Sequence, residues 1–223
     1  MLLTRLPLFL SVAVAAVCAI AYSNCAAAGN VVQEGELATV TGDVQIGDVS
    51  TLEKMHVKTI VFAESLGGTM EAASAYVELI KRRQLNTVVR GRCYSACAVS
   101  FLAGSTRSVF PKVNNMIMLH VARVMDKESG VLRPSNQNHK LLAMIDELTD
   151  GKMRDPVRSK IANSWTEASG VAFMVGPGWW GERKNTVYCD GSQGKDTSKC
   201  QLLFNADPYD LGILTRPAAT DRQ

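Results

Sequence analysis

The chain has 223 residues, room for one ordinary domain and too few for two. Apolar residues make up 47% and charged residues 20%, proportions that exclude disordered, collagen-like and coiled-coil classes. Net charge is +3 and no basic cluster exceeds Lys81-Arg82-Arg83, so nothing points to a nucleic-acid partner; only three histidines occur, none paired at zinc-ligand spacing, and no metal or other cofactor is expected.

The first segment does not belong to the fold. Arg5 precedes an apolar run from Leu6 to Ala21, followed by Tyr22-Ser23-Asn24 and Ala26-Ala27-Ala28. One cation, a short apolar stretch and an alanine-rich exit form a secretory signal peptide over residues 1–28. An uncleaved anchor is the alternative, but the run falls short of the ~20 apolar residues that a spanning helix needs. Tyr22-Ser23-Asn24 lacks the Leu-small-small pattern that would make Cys25 a lipid-attachment site. A periplasmic or secreted protein follows, touching a membrane only through an uncleaved signal. Cys18 and Cys25 belong to the leader, leaving Cys93, Cys97, Cys189 and Cys200. Four cysteines in an exported chain imply disulfides and allow three pairings.

Strands and helices then alternate. Leu37 to Val44 is a strand entering a turn, and Thr59-Ile-Val-Phe-Ala is a strand buried on both faces. After Gly67-Gly68, the spacing of Ala73, Tyr76, Val77 and Ile80 predicts an amphipathic helix over Thr69–Arg83. Lys81, Arg82 and Arg83 sit in its last turn, where cations suit the helix dipole, and are expected on a solvated face. Asn86-Thr-Val-Val is a strand, Cys93 to Ala103 a buried helix of small residues, and Met116-Ile-Met-Leu a strand ending in His120. Such alternation predicts an α/β fold with mainly parallel strands. Ser135–Leu148 is helical, with Leu141, Leu142, Ile145 and Leu148 on one face. Asp155 and Pro156 are expected as N-cap and first residue of a helix ending near Asn163. Residues 176–200 are turn-rich and expected as a cystine-closed insertion or small hairpin, and residues 217–223 as a disordered tail. Val171-Ala-Phe-Met-Val175 and Trp179-Trp180 either fold back on the core or line an interface between copies.

Three strand ends carry the chemistry. Ser65-Leu66-Gly67-Gly68 lets backbone N–H groups face a ligand, although a Gly-Gly turn alone needs no function. Ser95, in Gly91-Arg-Cys-Tyr-Ser95-Ala-Cys, enters a helix, where serine commonly serves as an N-cap. His120 closes a strand where α/β sheets place their ligand crevice. Together they supply the nucleophile, base and oxyanion donors that acyl transfer requires.

These stretches resemble the caseinolytic (Clp) protease subunit family of the crotonase-like superfamily, and above all its exported bacterial relatives. The resemblance runs through Val40-Thr-Gly-Asp-Val, Ser65-Leu66-Gly67-Gly68, Cys93-Tyr94-Ser95-Ala96-Cys97, Phe101-Leu102-Ala103-Gly104 and Met118-Leu119-His120. The ending Ala206-Asp-Pro-Tyr-Asp-Leu-Gly212-Ile-Leu-Thr resembles the family's final helix and strand. It implies a Clp-protease-like domain of ββα units over residues 29–216 and a serine peptidase with Ser95 as nucleophile and His120 as base. Gly67, Gly68 and Ala96 would form the oxyanion and substrate-binding edge. Leu66 stands where the family has Pro, and Glu64 where it has Asn. For the third triad member, counting from the C-terminal match favours Asp196, with Glu167 and Asp190 as alternatives. The expected disulfides are Cys189–Cys200, which closes a turn-rich loop, and Cys93–Cys97, beside the nucleophile. Rings are common in the family and motivate a homo-oligomer; outside the cytoplasm no ATPase partner is expected. The alternative is a catalytically silent domain of the same fold that binds peptides or assembles; acyl-thioester chemistry is a third reading.

Overall fold

A computed structural model describes residues 30–178, 184–194 and 196–216, so the leader, Trp179-Trp180 and the tail lie outside the described residues. Strands β1 (Asn30–Glu34) and β2 (Leu37–Thr41) form a hairpin, followed by α1 (Ile46–Glu53), β3 (Thr59–Ser65), α2 (Met70–Arg83), β4 (Asn86–Tyr94) and α3 (Ala96–Leu102). Then come β5 (Arg107–Val109), β6 (Asn115–Leu119), the hairpin β7 (Arg123–Met125) and β8 (Leu132–Pro134), α4 (Asn138–Leu148) and α5 (Val157–Ala162). Strands β9 (Ser169–Val175), β10 (Asn185–Asp190) and β11 (Gln201–Leu202) complete the order.

One sheet runs β1-β2-β3-β4-β6-β9-β10-β11, with β5 also beside β4. Its centre is parallel: β2 pairs with β3, β3 with β4, and β4 with both β5 and β6. The flanks are antiparallel, β1 on one side and β9, β10 and β11 on the other. Sequence alternation announces the parallel centre because parallel neighbours need crossovers, here α1, α2 and α3. No such signal marks the antiparallel flank.

The helices and one sheet face enclose the main core, which includes Phe62, Tyr76, Phe101, Ile117, Leu141 and Phe173. A smaller cluster of Met116, Ala172, Met174, Val187 and Cys189 is joined by Tyr94 and Cys200. Helix α3 is buried along its whole length, which its small and apolar residues permit. Helix α2 follows its sequence pattern closely: Thr69 caps it, accepting from Ala72 N at 3.1 Å, and Gln84 ends it in the left-handed region. Its basic end is not simply solvated, however. Arg83 donates to the carbonyls of Leu52 and Met55, and Arg82 pairs with Glu53 at 2.6 Å, so both tie α2 to α1.

Three further expectations are corrected, and one alternative left open is decided. The helix predicted from Cys93 starts at Ala96, because Arg92, Cys93 and Tyr94 pair in register with Met116, Ile117 and Met118. Pro156 sits at the N-cap of α5 rather than inside it, and Asp155 Oδ1 accepts from Ser159 N at 3.1 Å from one residue earlier. The stretch Ala206–Thr215 forms turns, not a helix, and is tied to β5 through Thr215 N to Arg107 O at 2.9 Å. Val171–Val175 is strand β9, with Val171 to Met174 fully buried, so that segment lines no interface.

Both expected disulfides are present, Cys93–Cys97 and Cys189–Cys200. The second closes the β10–β11 hairpin, so the cystine spans only part of the region 176–200, and β10 itself belongs to the sheet. Among the described residues no helix is long and apolar enough to cross a membrane. Nor does any group of three or more His, Cys, Asp or Glu side chains there suit a metal ion.

Candidate active site

Strand β4 ends at Tyr94 and α3 starts at Ala96, so the chain passes from strand to helix through Ser95 alone. Ser95 takes φ 54° and ψ −124°, a conformation that costs a non-glycine residue about 1–3 kcal/mol and persists only where its surroundings impose it. They do: Ser95 N donates to Met118 O at 2.9 Å, and the Cys93–Cys97 disulfide brackets the turn with 5.3 Å between Cα atoms. A capping serine spends its hydroxyl on the amides of the first helical turn. Ser95 makes no such bond. Its hydroxyl is therefore not used to hold the helix.

His120 follows β6, the parallel neighbour of β4, so the register of Tyr94 opposite Met118 brings both residues to the same sheet end. Both line one cleft of about 470 Å³, together with Gly68, Ala96, Leu141 and Arg123. His120 Nδ1 lies 2.8 Å from Val121 O. A carbonyl only accepts, so in the neutral ring Nδ1 carries the proton and Nε2 keeps its lone pair. Burial pushes the imidazole below its usual pKa; the Val121 carbonyl opposes that effect and the nearby Arg123 charge adds to it.

The Gly-Gly turn lies directly against the serine. A methyl group placed on Gly67 would stand 3.0 Å from Ser95 Cβ and 3.6 Å from its Oγ; one on Gly68 would meet Val44 O at 2.4 Å. Both glycines have positive φ, 140° and 144°, which side-chain-bearing residues rarely adopt. Buried Ser65 braces the turn through its hydroxyl, which accepts from Gly67 N at 3.3 Å. Leu66 N donates to Asp43 Oδ1 at 2.8 Å. That bond gives the departure from proline a physical reason, since proline has no N–H to offer Asp43. The Gly68 and Ala96 amides have no acceptor among the described residues. Glu64, at φ 51°, pairs with Arg92 at 2.7 Å and fills the space over Gly91, a role for the second departure.

None of the three acid candidates is bonded to His120. Asp196 caps the short turn Thr197–Lys199 and accepts from Ser198 N and Oγ. Its carboxylate is held below the usual range by those bonds, and it lies inside the loop closed by Cys189 and Cys200. Asp190 likewise accepts from Ser192 N and Oγ, and it ends β10, two strands from β6 and so ~10 Å away at ordinary strand spacing. Glu167 is exposed, and its charge is felt by Arg123 rather than by His120. Sequence reasoning also passed over Asp43, Val121 and Arg123. Asp43 was signalled by the Gly-Asp turn after a strand, but a backbone carbonyl such as that of Val121 leaves no signal.

A larger open groove of about 1410 Å³ is lined by Arg107, Arg154, Lys160 and the segment 201–206, among others. It contains neither Ser95 nor His120, so the smaller cleft is the one that holds the candidate residues.

No protein-family model matches the sequence, and no curated protein does. Solved structures similar to this chain include ClpP1 from Listeria monocytogenes, at 18% identity and a TM-score of 0.45, over 80% of this chain and 88% of that one. The 1510-N membrane-bound stomatin-specific protease is similar at 13% identity and a TM-score of 0.41, over 53% of this chain. The chain spans 64% of the length of that protease, and 60% in its complex with a substrate peptide.

Proposed function

We propose that residues 29–216 form an exported serine hydrolase that cleaves peptides through a Ser95–His120 dyad. One observation carries this reading: a serine in a strained turn, with its hydroxyl unspent on the helix, opens on the same cleft as a histidine whose Nε2 is free to accept. Ser95 Oγ attacks the scissile carbonyl carbon while His120 Nε2 takes its proton. The Gly68 and Ala96 N–H groups bind the resulting oxyanion, with Gly67 shaping the turn beside it. His120 then returns the proton to the leaving amine, and water releases the acyl group by the same steps in reverse order. Val121 O does the orienting that an acid does in a complete triad.

A fluorophosphonate probe tests the reading, since its phosphorus centre resembles the tetrahedral intermediate. Ser95 is expected to be labelled, with labelling abolished and peptidase rate lowered by ~10³–10⁶ in Ser95→Ala. A folded, oxidised mature protein that stays unlabelled would instead be the silent, peptide-binding domain. Export rests on the leader and on the two cystines, and predicts a mature N-terminus between Ala27 and Gly29. Self-association is part of the proposal: Val124, Met125 and Val131 are exposed on the β7–β8 hairpin, and light scattering showing a monomer at micromolar concentration would remove it.

A further inference from the structure

Leu66, Met70, Val99 and Leu141 give the cleft that holds Ser95 and His120 its apolar walls, and Thr69 and Arg123 also line it. Among the described residues lining it, Arg123 alone carries a formal charge. Its guanidinium is half-buried, and Nη1 donates to the carbonyl of Thr166 at 2.6 Å. That bond fixes the side chain without neutralising it. No carboxylate among the described residues lies within ion-pair distance, and exposed Glu167 reaches it only through its longer-range field. A half-buried cation that shares a cleft with a nucleophile and has no paired carboxylate offers an incoming carboxylate charge-assisted bonds.

We infer that Arg123 makes this site selective for peptides bearing a carboxylate next to the bond held at Ser95. The inference rests on the hydrolase reading only for the word "bond"; the selectivity itself is a property of the cleft. Guanidinium N–H groups left over from Thr166 supply the charge-assisted bonds, and the apolar walls take the neighbouring side chains. The carboxylate comes either from an Asp or Glu side chain or from the end of the peptide. Occupation by an anion would also cancel the field of Arg123 on His120, so an acidic substrate makes its own base stronger on binding.

Calorimetric titration of the mature Ser95→Ala protein separates the cases, because it needs no turnover. One arm compares acetyl-Ala-Ala-Ala-Asp-amide with its Asn counterpart; the other compares acetyl-Ala-Ala-Ala-Ala with a free and an amidated C-terminus. The acidic member of at least one pair should bind ~10- to 100-fold tighter, the range of one or two bonds to a charged group. Adding Arg123→Gln should abolish the preference, whereas Arg123→Lys should keep much of it and so guards against a loss through the Thr166 contact. Equal binding within both pairs overturns the inference, as does a preference that survives Arg123→Gln. A protein that prefers acids but never reacts at Ser95 loses the hydrolase reading alone. One that reacts and shows no preference loses only this inference.

Discussion

The Nδ1 atom of His120 lies 2.8 Å from the carbonyl oxygen of Val121, where a complete triad would present a carboxylate. A carbonyl selects the same tautomer and orients the ring equally well. It carries no charge, however, so it stabilises the imidazolium of the transition state less than an acid would. Under the proposed function this predicts a slower enzyme than one with a complete triad.

A pH prediction follows from the environment of that ring. Burial lowers the His120 pKa in the folded chain below its ordinary 6.5, so the neutral, proton-accepting form persists into more acidic solution. The acid limb of kcat/KM should therefore fall below pH 6.5 for a neutral substrate. Stability falls over the same range as pH drops. Below 6.5 the unfolded chain takes up a proton that the folded His120 still refuses, so His120 withdraws stability progressively down to its folded pKa. Rate profiles and denaturation midpoints from pH 4.5 to 7.5 check both; an acid limb above 6.5 would contradict the buried ring.

Ser95 should show a trade between stability and reactivity. Glycine tolerates φ 54° without strain, so Ser95→Gly should stabilise the fold by about 1 kcal/mol after the greater freedom of its unfolded chain is counted, while eliminating any reaction. Ser95→Ala keeps the strain and should change stability little. Urea denaturation of the two variants provides the comparison. A Ser95→Gly protein less stable than the parent would mean that the hydroxyl supports the fold.

The two disulfides should separate by function. Removing Cys189–Cys200 as a Ser pair should cost about 3 kcal/mol in the loop-entropy picture and leave the labelling rate of Ser95 nearly unchanged. Removing Cys93–Cys97 should cost about 2 kcal/mol and slow labelling at least tenfold, because it frees both sides of the residue that attacks. Labelling kinetics at a temperature where all variants remain folded would distinguish them.

Tyr76 and Asp48 form a buried tether between α2 and α1. Tyr76 Oη donates to Asp48 Oδ2 at 2.9 Å, and the same oxygen accepts from Gln45 N at 2.8 Å. Burial, with Asp48 beside it, raises the phenol well above its ordinary pKa, so it stays a donor throughout the working range. Tyr76→Phe should cost about 1–3 kcal/mol, since it takes one partner from a carboxylate whose Oδ1 already has none among the described residues. Thermal denaturation at neutral pH measures this, and a neutral substitution would show that Asp48 is satisfied by solvent.

Local pattern and local chemistry were legible in the sequence. The period of Ala73, Tyr76 and Ile80 and the β-branched run from Thr59 each report on neighbours within a few residues, and the structure follows them. Ser95, Gly67, Gly68 and His120 could be singled out because a strand end followed by small residues is itself a local signal. The acid partner could not be found by counting, since Asp196, Asp190 and Glu167 are placed by the antiparallel flank. That flank depends on long-range pairing of β6 with β9. Val171–Val175 stayed open in the sequence for a related reason: an apolar run looks alike whether it is destined for a central strand or an interface. The final turns at Ala206–Thr215 held few periodic residues to support the helix that their resemblance implied.

The two cystines have a kinetic side. Each joins cysteines close in the chain, with separations of 4 and 11, whereas a crossed pair such as Cys97 with Cys189 must close a loop of roughly ninety residues. For a flexible chain, encounter probability falls about as the three-halves power of loop length, which favours Cys189–Cys200 over that crossed pair by about twentyfold. In an oxidising medium the unfolded chain thus samples its native sulfur pairs before the sheet that will contain them exists. Correct pairing becomes mostly a matter of proximity, and reshuffling by an isomerase should hasten its refolding little.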